Sequence, residues 1–229
     1  MEFIAVGVRA ATGHGVPGGT LPQHPSEPAA SGSLCMRCEV RARCLGGIAA
    51  EAGTAQLQGI LSGRKVLRQG EELYGLGDRF EHVYAVRSGA LKSTAGRDAG
   101  EQVVGFHFPG ELVGVDGMAG GRQRVTATAL EDTQLCALRF APRGGEPEGV
   151  RAFLARLWDM MSCEVVRERT HRSLLAMLPP AHRVAAFLAS VAGRRRGAVA
   201  GRARLLPAED IASYLGVPAD TVDSVRARH

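Results

Sequence analysis

The chain has 229 residues, of which 45% are hydrophobic and 22% charged, so it can hold one large or two small domains with a packed core. Its 28 basic and 23 acidic residues leave a formal charge of +5, which permits a polyanionic partner without requiring one. No apolar run approaches the roughly 18 residues of a membrane-spanning helix and residues 1–33 lack the pattern of a signal peptide, so we expect a cytoplasmic protein.

Composition and periodicity divide the chain into five segments. The first is rich in Gly, Pro, Ala and His without hydrophobic periodicity, which predicts a disordered leader. The predicted segments are, in order, this leader at 1–33, a cysteine-rich segment at 34–62, a β-barrel domain at 63–145, a long helix at 146–178 and a helix-turn-helix domain at 179–229.

Four of the five cysteines form the first candidate site. Three lie close together as Cys35-x2-Cys38-x5-Cys44, and Cys136 lies far downstream. In a reducing compartment, clustered cysteines are more often metal ligands or redox groups than disulfides, and an odd count argues against a simple disulfide framework. Four thiolates suit an iron–sulfur cluster, and zinc also accepts them. The wide gap and the distant fourth cysteine are unusual for a zinc knuckle. Arg37, Arg41 and Arg43 could offset the negative charge of an iron–sulfur cluster, or could equally be solvated loop charges.

A short helical pattern follows at residues 48–61, and the texture then changes to that of a small β-domain. From Lys65 to Phe140, β-rich runs alternate with glycine-containing turns at near-regular intervals, which is typical of an antiparallel barrel or jelly roll. The runs are Lys65–Arg68, Val83–Val86, Ala90–Ser93, Gln102–Phe108, Arg124–Leu130 and Thr133–Phe140. His107 lies between two phenylalanines in one run, and we interpret it as a structural residue. A Pro/Gly-rich linker is predicted at 141–149.

A long helical pattern extends from about Val150 to Met177, with apolar residues close to a 3.5-residue period. Pro179-Pro180 ends it, and a second helix is predicted at Ala181–Val191, followed by a basic loop at 193–197. We interpret one stripe of the long helix as a two-fold dimer surface, although packing of part of it against the core is an equally natural interpretation. The stripe contains Trp158, Met161, Val165 and Glu168.

Glu168 is the charged member of this stripe. In a parallel dimer it would approach its twin, and like charges repel in a poorly solvated seam. Arg172, four residues later, could instead neutralise it locally.

Residues 209–225 fit a helix-turn-helix. Ala212 is small where two helices must approach closely, and Gly216 can take the positive φ of the turn. The shared apolar face consists of Ile211, Leu215, Val217, Val222 and Val225. In such motifs the second helix offers its first residues to base edges in the major groove.

The second helix of this motif has an unusual exposed face. Two of its carboxylates would be repelled by phosphates, and its basic residues come late, where they could touch phosphates that position rather than specify. The residues that would face DNA are Asp220, Asp223, Ser224, Arg226 and Arg228. The chain stops at His229 without a following wing, so we expect a truncated motif whose DNA binding is weakened.

Barrel, long helix and helix-turn-helix, in this order, resemble the CRP/FNR superfamily of regulators. The four cysteines, together with stretches at 84–93, 105–114 and 129–133, resemble its oxygen-sensing fumarate-nitrate-reduction (FNR) branch. The resemblance implies a [4Fe–4S] cluster on Cys35, Cys38, Cys44 and Cys136 that breaks down to [2Fe–2S] in oxygen. It further implies a homodimer that binds DNA when oxygen is absent, contact with RNA polymerase if the protein is an activator, and an acidic brake on dimerisation at Glu168.

The sequence departs from that family pattern in its second DNA-facing helix. The family usually presents E-x-x-S-R there, whereas this chain has Asp220-Thr221-Val222-Asp223-Ser224. A cyclic-nucleotide site finds little support, because the Arg-Ser pair expected about ten residues after Glu111 is missing.

The predicted fold class is α+β, and the predicted function is an oxygen- or redox-responsive transcription regulator. A truncated iron–sulfur sensor that dimerises without binding DNA specifically is the alternative, and a zinc-stapled interaction module is a more remote one. No nucleophile–base pair, phosphate loop or paired-carboxylate motif is visible in the sequence, so we do not expect an enzyme.

Overall fold

The computed structural model describes residues 35–47 except 36 and 46, then 61–96, 100–138, 148–195 and 206–228. The predicted leader at 1–33, almost all of the helical pattern at 48–61 and most of the predicted linker at 141–149 lie outside the described residues.

In the described residues, eight antiparallel strands form two four-stranded sheets, with orders β1-β8-β3-β6 and β2-β7-β4-β5. The strands are β1 (Leu61–Leu67), β2 (Glu72–Tyr74), β3 (Val83–Ser88), β4 (Leu91–Ala95), β5 (Gln102–His107), β6 (Leu112–Val113), β7 (Thr126–Ala129) and β8 (Thr133–Leu138). Each of the six predicted runs overlaps one strand. The prediction missed β2 and β6, which have three and two residues and are too short to display an alternating pattern. The barrel and the helices described next confirm the predicted α+β jelly-roll class.

Four helices follow in the part of the chain that the structure describes: α1 (Glu148–Met177), α2 (Pro180–Arg195), α3 (Ala208–Leu215) and α4 (Ala219–Arg226). Pro180 occupies the first position of α2, where its missing N–H has no partner to lose. The predicted end of α2 at Val191 was wrong, because the helix continues through Gly193 to Arg195. Within the described residues, no helix combines the length and the apolar character needed to cross a membrane.

The turn between α3 and α4 has the predicted helix-turn-helix geometry. Gly216 has a φ of 61°, and the amide of Val217 donates to the carbonyl oxygen of Ala212 at 3.1 Å. The apolar residues predicted to hold the two helices together are all buried. The motif therefore forms as the sequence indicated.

The helix-turn-helix packs on the outer edge of the barrel, which the sequence did not predict. β5 is the edge strand of its sheet, and the amide of Val103 on this strand donates to Ser213 Oγ of α3 at 3.0 Å. Lys92 Nζ pairs with Asp210 Oδ1 at 2.7 Å beside it. Since an uncovered edge strand exposes unpaired backbone groups, α3 serves the barrel as a cover.

Candidate metal centre and regulatory elements

Cys136 lies on β8, a strand with a neighbour on each side. Its residue partner is Arg64 on β1 and Ala85 on β3. Hydrogen bonds to both neighbouring strands fix the backbone at Cys136, so the position of its Cβ atom is well defined.

The other three cysteines lie on a loop of tight turns. The amide of Cys38 donates to Cys35 O at 3.1 Å, and the amide of Cys44 donates to Val40 O at 2.9 Å. Val40 and Leu45 are buried and anchor this loop in an apolar cluster with Ala85, Leu138 and Leu157. Hydrophobic burial therefore holds the loop against β3, β8 and α1.

All four predicted ligands line one small pocket between the loop and the barrel. Its remaining walls come from Val40, Arg41, Gly47, Ala85, Val86 and Arg87. Within the described residues, no three His, Cys, Asp or Glu side chains lie close enough to hold a single metal ion. The structure thus brings the four cysteines together, and their role as ligands stays a prediction.

The thiols influence one another electrostatically. Burial raises the pKa of Cys136 to about 11, and the nearby thiols of Cys44, Cys35 and Cys38 add to this rise. Burial followed by the charges of Cys44 and Cys38 also raises the pKa of Cys35. Four deprotonated thiols in this pocket repel one another unless positive charge lies among them. A bound metal centre would supply that charge, and the thiols would release their protons on binding it.

Two arginines that the sequence analysis did not single out lie near the thiols. The charges of Arg64 and Arg87 oppose the rise in the pKa of Cys35, and Arg64 does the same at Cys136. Among the three arginines predicted to offset cluster charge, Arg41 lines the pocket, whereas Arg43 extends away toward α2. Arg64 lies directly opposite Cys136 in the β1–β8 register, so strand pairing would have revealed it, whereas local sequence could not.

The predicted dimer stripe of α1 divides between two environments. Trp158 is 71% exposed and Val165 is 50% exposed, whereas Met161 is half-buried against the cluster that anchors the cysteine loop. Glu168 accepts a hydrogen bond from the Tyr214 hydroxyl of α3 at 3.2 Å and lies 3.8 Å from Arg172. Core packing therefore applies to Met161, and the role of the exposed residues as a dimer surface stays a prediction.

The predicted DNA-facing residues lie on α4 and at its end. Asp220, Asp223, Ser224 and Arg228 are exposed. Arg226 is different, because its Nη2 donates to the carbonyl oxygen of Leu206. The outward face of α4 is therefore acidic at its start.

His107 is half-buried, and the hydrogen bonds of its ring fit the neutral form. Its Nδ1 donates to Leu112 O at 3.0 Å, so its Nε2 accepts from the Ser93 hydroxyl at 2.7 Å. Burial lowers the pKa of His107, and Glu111 partly opposes this effect. These contacts give His107 the structural position that the sequence predicted.

Comparison with known proteins places the chain among bacterial regulators. Residues 64–141 match the cyclic nucleotide-binding domain family. Over 198 residues the chain is 35% identical to the transcriptional activator protein anr of Pseudomonas aeruginosa, covering 85% of this chain and 81% of that protein. It is 31% identical over 201 residues to the fumarate and nitrate reduction regulatory protein of Escherichia coli K12, covering 85% and 79%. Among solved structures, FixK2 from Bradyrhizobium japonicum matches with a TM-score of 0.57 and 29% identity, over 72% of this chain and 82% of that one.

Proposed function

Because this chain belongs to the FNR branch of the CRP/FNR family of transcription regulators, and not to a family of enzymes, we propose that it is a cytoplasmic, oxygen- or redox-responsive regulator. A [4Fe–4S] cluster on Cys35, Cys38, Cys44 and Cys136 would control its dimerisation and its binding to DNA. The observation that carries this proposal is the single pocket lined by all four thiols.

The residues around the pocket suit such a cluster chemically. When bound, the cluster supplies an oxygen-sensitive redox group that carries net negative charge with four thiolates. The thiolates are soft ligands of the kind iron–sulfur clusters prefer, and the loop and β8 would hold the group from opposite sides. Arg41, Arg64 and Arg87 would offset part of its negative charge.

The route from this pocket to the proposed dimer surface would run through α1. Leu157, Met160 and Met161 of α1 pack in the same apolar cluster as Cys44. Trp158 and Val165, on the same helix, are exposed, as expected for residues that pack against a second copy of the chain in a dimer. A change in the loop therefore changes the support of the helix that would pair.

The cluster is tested by anaerobic purification and reconstitution of the whole chain. We expect visible absorbance with about four iron and four sulfide per chain. Cys136→Ser should lose it, whereas Cys163→Ser, the matched control outside the predicted ligand set, should keep it. Zinc bound without iron, or equal loss in both variants, would contradict the proposal.

The brake at Glu168 is tested by sedimentation of the cluster-free chain. Glu168→Ala should raise the dimer fraction, because it removes two like charges from the seam. Asp159→Ala on the same exposed helix is the control. A sedimentation profile unchanged by Glu168→Ala would remove the brake from the proposal.

A sensor that dimerises without reading DNA specifically is favoured by one observation, the exposed Asp220 and Asp223 at the start of α4. A gel shift of the reconstituted protein on palindromic sites separates the two functions. Sequence-specific binding that survives moderate salt supports the regulator that reads DNA, whereas only salt-sensitive, sequence-independent binding supports the alternative. Contact with RNA polymerase would follow only if DNA is read and transcription is activated.

A further inference from the structure

One charged contact joins the cysteine loop, the barrel and α2. We propose that Arg43, Glu111 and Arg194 form a joint that couples the cysteine loop to the helix-turn-helix. The contacts of the joint do not depend on the proposed function. Only the signal that would move the joint, a change at the cysteine pocket, rests on it.

Arg194 is the centre of the joint. Its Nε donates to Glu111 Oε1 at 2.8 Å, and its Nη2 donates to Glu111 Oε2 and to Phe106 O, each at 2.7 Å. The guanidinium carbon lies 4.6 Å from the centre of the Phe108 ring. A planar, two-pronged contact with a carboxylate is strong and directional, and a lysine could not reproduce it. These bonds explain why α2 stays helical through Gly193, which intrinsically disfavours a helix by about 1 kcal/mol.

Glu111 transmits the position of the barrel to Arg194. Its Oε2 also accepts from the amide of Phe108 at 3.0 Å, and the amide of Gly110 donates to Val86 O at 2.8 Å. The turn that carries the carboxylate is thus fixed to β3. Arg194 and Glu111 are both mostly buried, which strengthens their interaction relative to an exposed pair.

Arg43 brings the cysteine loop to the same place. It follows Ala42 and precedes Cys44, and its Nη1 donates to the carbonyl oxygen of Arg194 at 3.4 Å. Its own Cβ lies 3.1 Å from where a Cβ on Gly110 would be, and Gly110 has a φ of 92°. The loop therefore contacts Arg194 directly and Gly110, the residue before Glu111, so a movement of Cys44 reaches Arg194 through a single residue.

The far end of the joint is the helix-turn-helix. Val184, Phe187 and Val191 of α2 are buried in one apolar cluster with Ile211 of α3 and Val222 of α4. A cavity of about 610 Å³ lies between the joint and α1, lined by Arg43, Glu111, Met161, Glu164 and Arg194 among others. The joint therefore borders a cleft and not a packed core on this side.

Hydrogen exchange of the full-length, cluster-free chain tests whether the joint exists. Arg194→Gln and Glu111→Gln should each speed amide exchange in the last turn of α2 and in α3 about tenfold. Because the two side chains act as a pair, exchange in the double variant should be about as fast as in either single variant. Arg183→Gln is the control, since its Nε donates to Leu178 O within the helix region away from the barrel. Unchanged exchange in the single variants, or effects that multiply in the double variant, would overturn the joint.

The arm from the cysteine loop is tested with Arg43→Gln in the same cluster-free chain. Exchange should rise both in the loop at 37–45 and in the last turn of α2. A change confined to the loop would show that Arg43 does not connect the two.

Reconstitution with iron and sulfide then tests the coupling. In the unaltered chain, loading should change exchange in α2 and α3 at least threefold, whereas Arg43→Gln and Arg194→Gln should keep the visible absorbance and lose that change. A loaded chain with unchanged exchange in α2 and α3 would refute the coupling. If no cluster forms, the proposed function fails, whereas the cluster-free comparison still decides whether the joint exists.

Discussion

Phe106 lies on a barrel strand, yet its ring is buried by the helices of the helix-turn-helix domain. It is 3% exposed, and its ring centre lies 5.4 Å from that of Phe187 and 5.3 Å from that of Tyr214. A buried phenylalanine removes about 150–250 Å² from water, and aromatic pairs contribute about 0.5–1.5 kcal/mol more. At about 25 cal/mol per Å², Phe106→Ala should therefore lower the free energy of unfolding by about 3–5 kcal/mol.

Urea denaturation followed by circular dichroism measures this loss. Phe106→Ala should also separate the unfolding of the helical region from that of the barrel, because it opens the surface between them. Leu135→Ala is the matched control, since Leu135 is buried inside the barrel and its loss should lower stability by about 2–5 kcal/mol without loosening α3. A cost below about 1 kcal/mol for Phe106→Ala would mean that this ring is exposed in solution and that the helix-turn-helix does not rest on β5.

Three further perturbations report on other parts of the molecule. Burial lowers the pKa of His107, so the unfolded chain takes up a proton that the folded chain does not; the free energy of unfolding should fall as pH drops below about 6.5, by up to about 1.4 kcal/mol per pH unit. In urea titrations, His107→Gln should flatten this slope, and an identical slope would show that other groups cause it. Tyr214→Phe removes the hydroxyl that donates to Glu168 and should cost about 0.5–1.5 kcal/mol in the same assay, whereas no cost would mean that the bond is not formed in solution. Asp220→Asn with Asp223→Asn should tighten non-specific DNA binding at low salt, measured by fluorescence anisotropy, with the gain shrinking as salt rises; equal affinities at low salt would mean that α4 does not face the phosphates.

The barrel was predictable because its signals are local. Glycine turns and β-rich runs marked six strands, and Gly216 and Ala212 marked the helix-turn-helix. The end of α2 was not predictable, since Gly193 and a basic run are typical of a loop, and the bonds that keep Arg194 helical come from residues more than 80 positions away. Tertiary contacts override propensity in such places.

The candidate site shows the same division. The spacing of Cys35, Cys38 and Cys44 is a local property, whereas the approach of Cys136 depends on the order of strands in the sheet, which the resemblance implied and local spacing could not. The packing of α3 on β5 could not be predicted from the sequence for the same reason. Val103 and Phe106 indicate an apolar face, but the partner that covers it is fixed by contacts such as Lys92–Asp210, 118 residues apart.

Glu168 would link the proposed dimer surface to the helix-turn-helix, because the two would share its carboxylate. In the folded chain it accepts a hydrogen bond from Tyr214 of the helix-turn-helix, and in the proposed dimer the same carboxylate would approach its twin. A hydrogen bond to Tyr214 draws charge toward α3 and away from the seam, so packing of α3 would lower the repulsion between two copies. By linkage, dimerisation would then favour the packed position of α3 to the same extent. Tyr214→Phe would weaken that linkage while leaving the charge of Glu168 in place, whereas Glu168→Ala would remove both the repulsion and its dependence on α3.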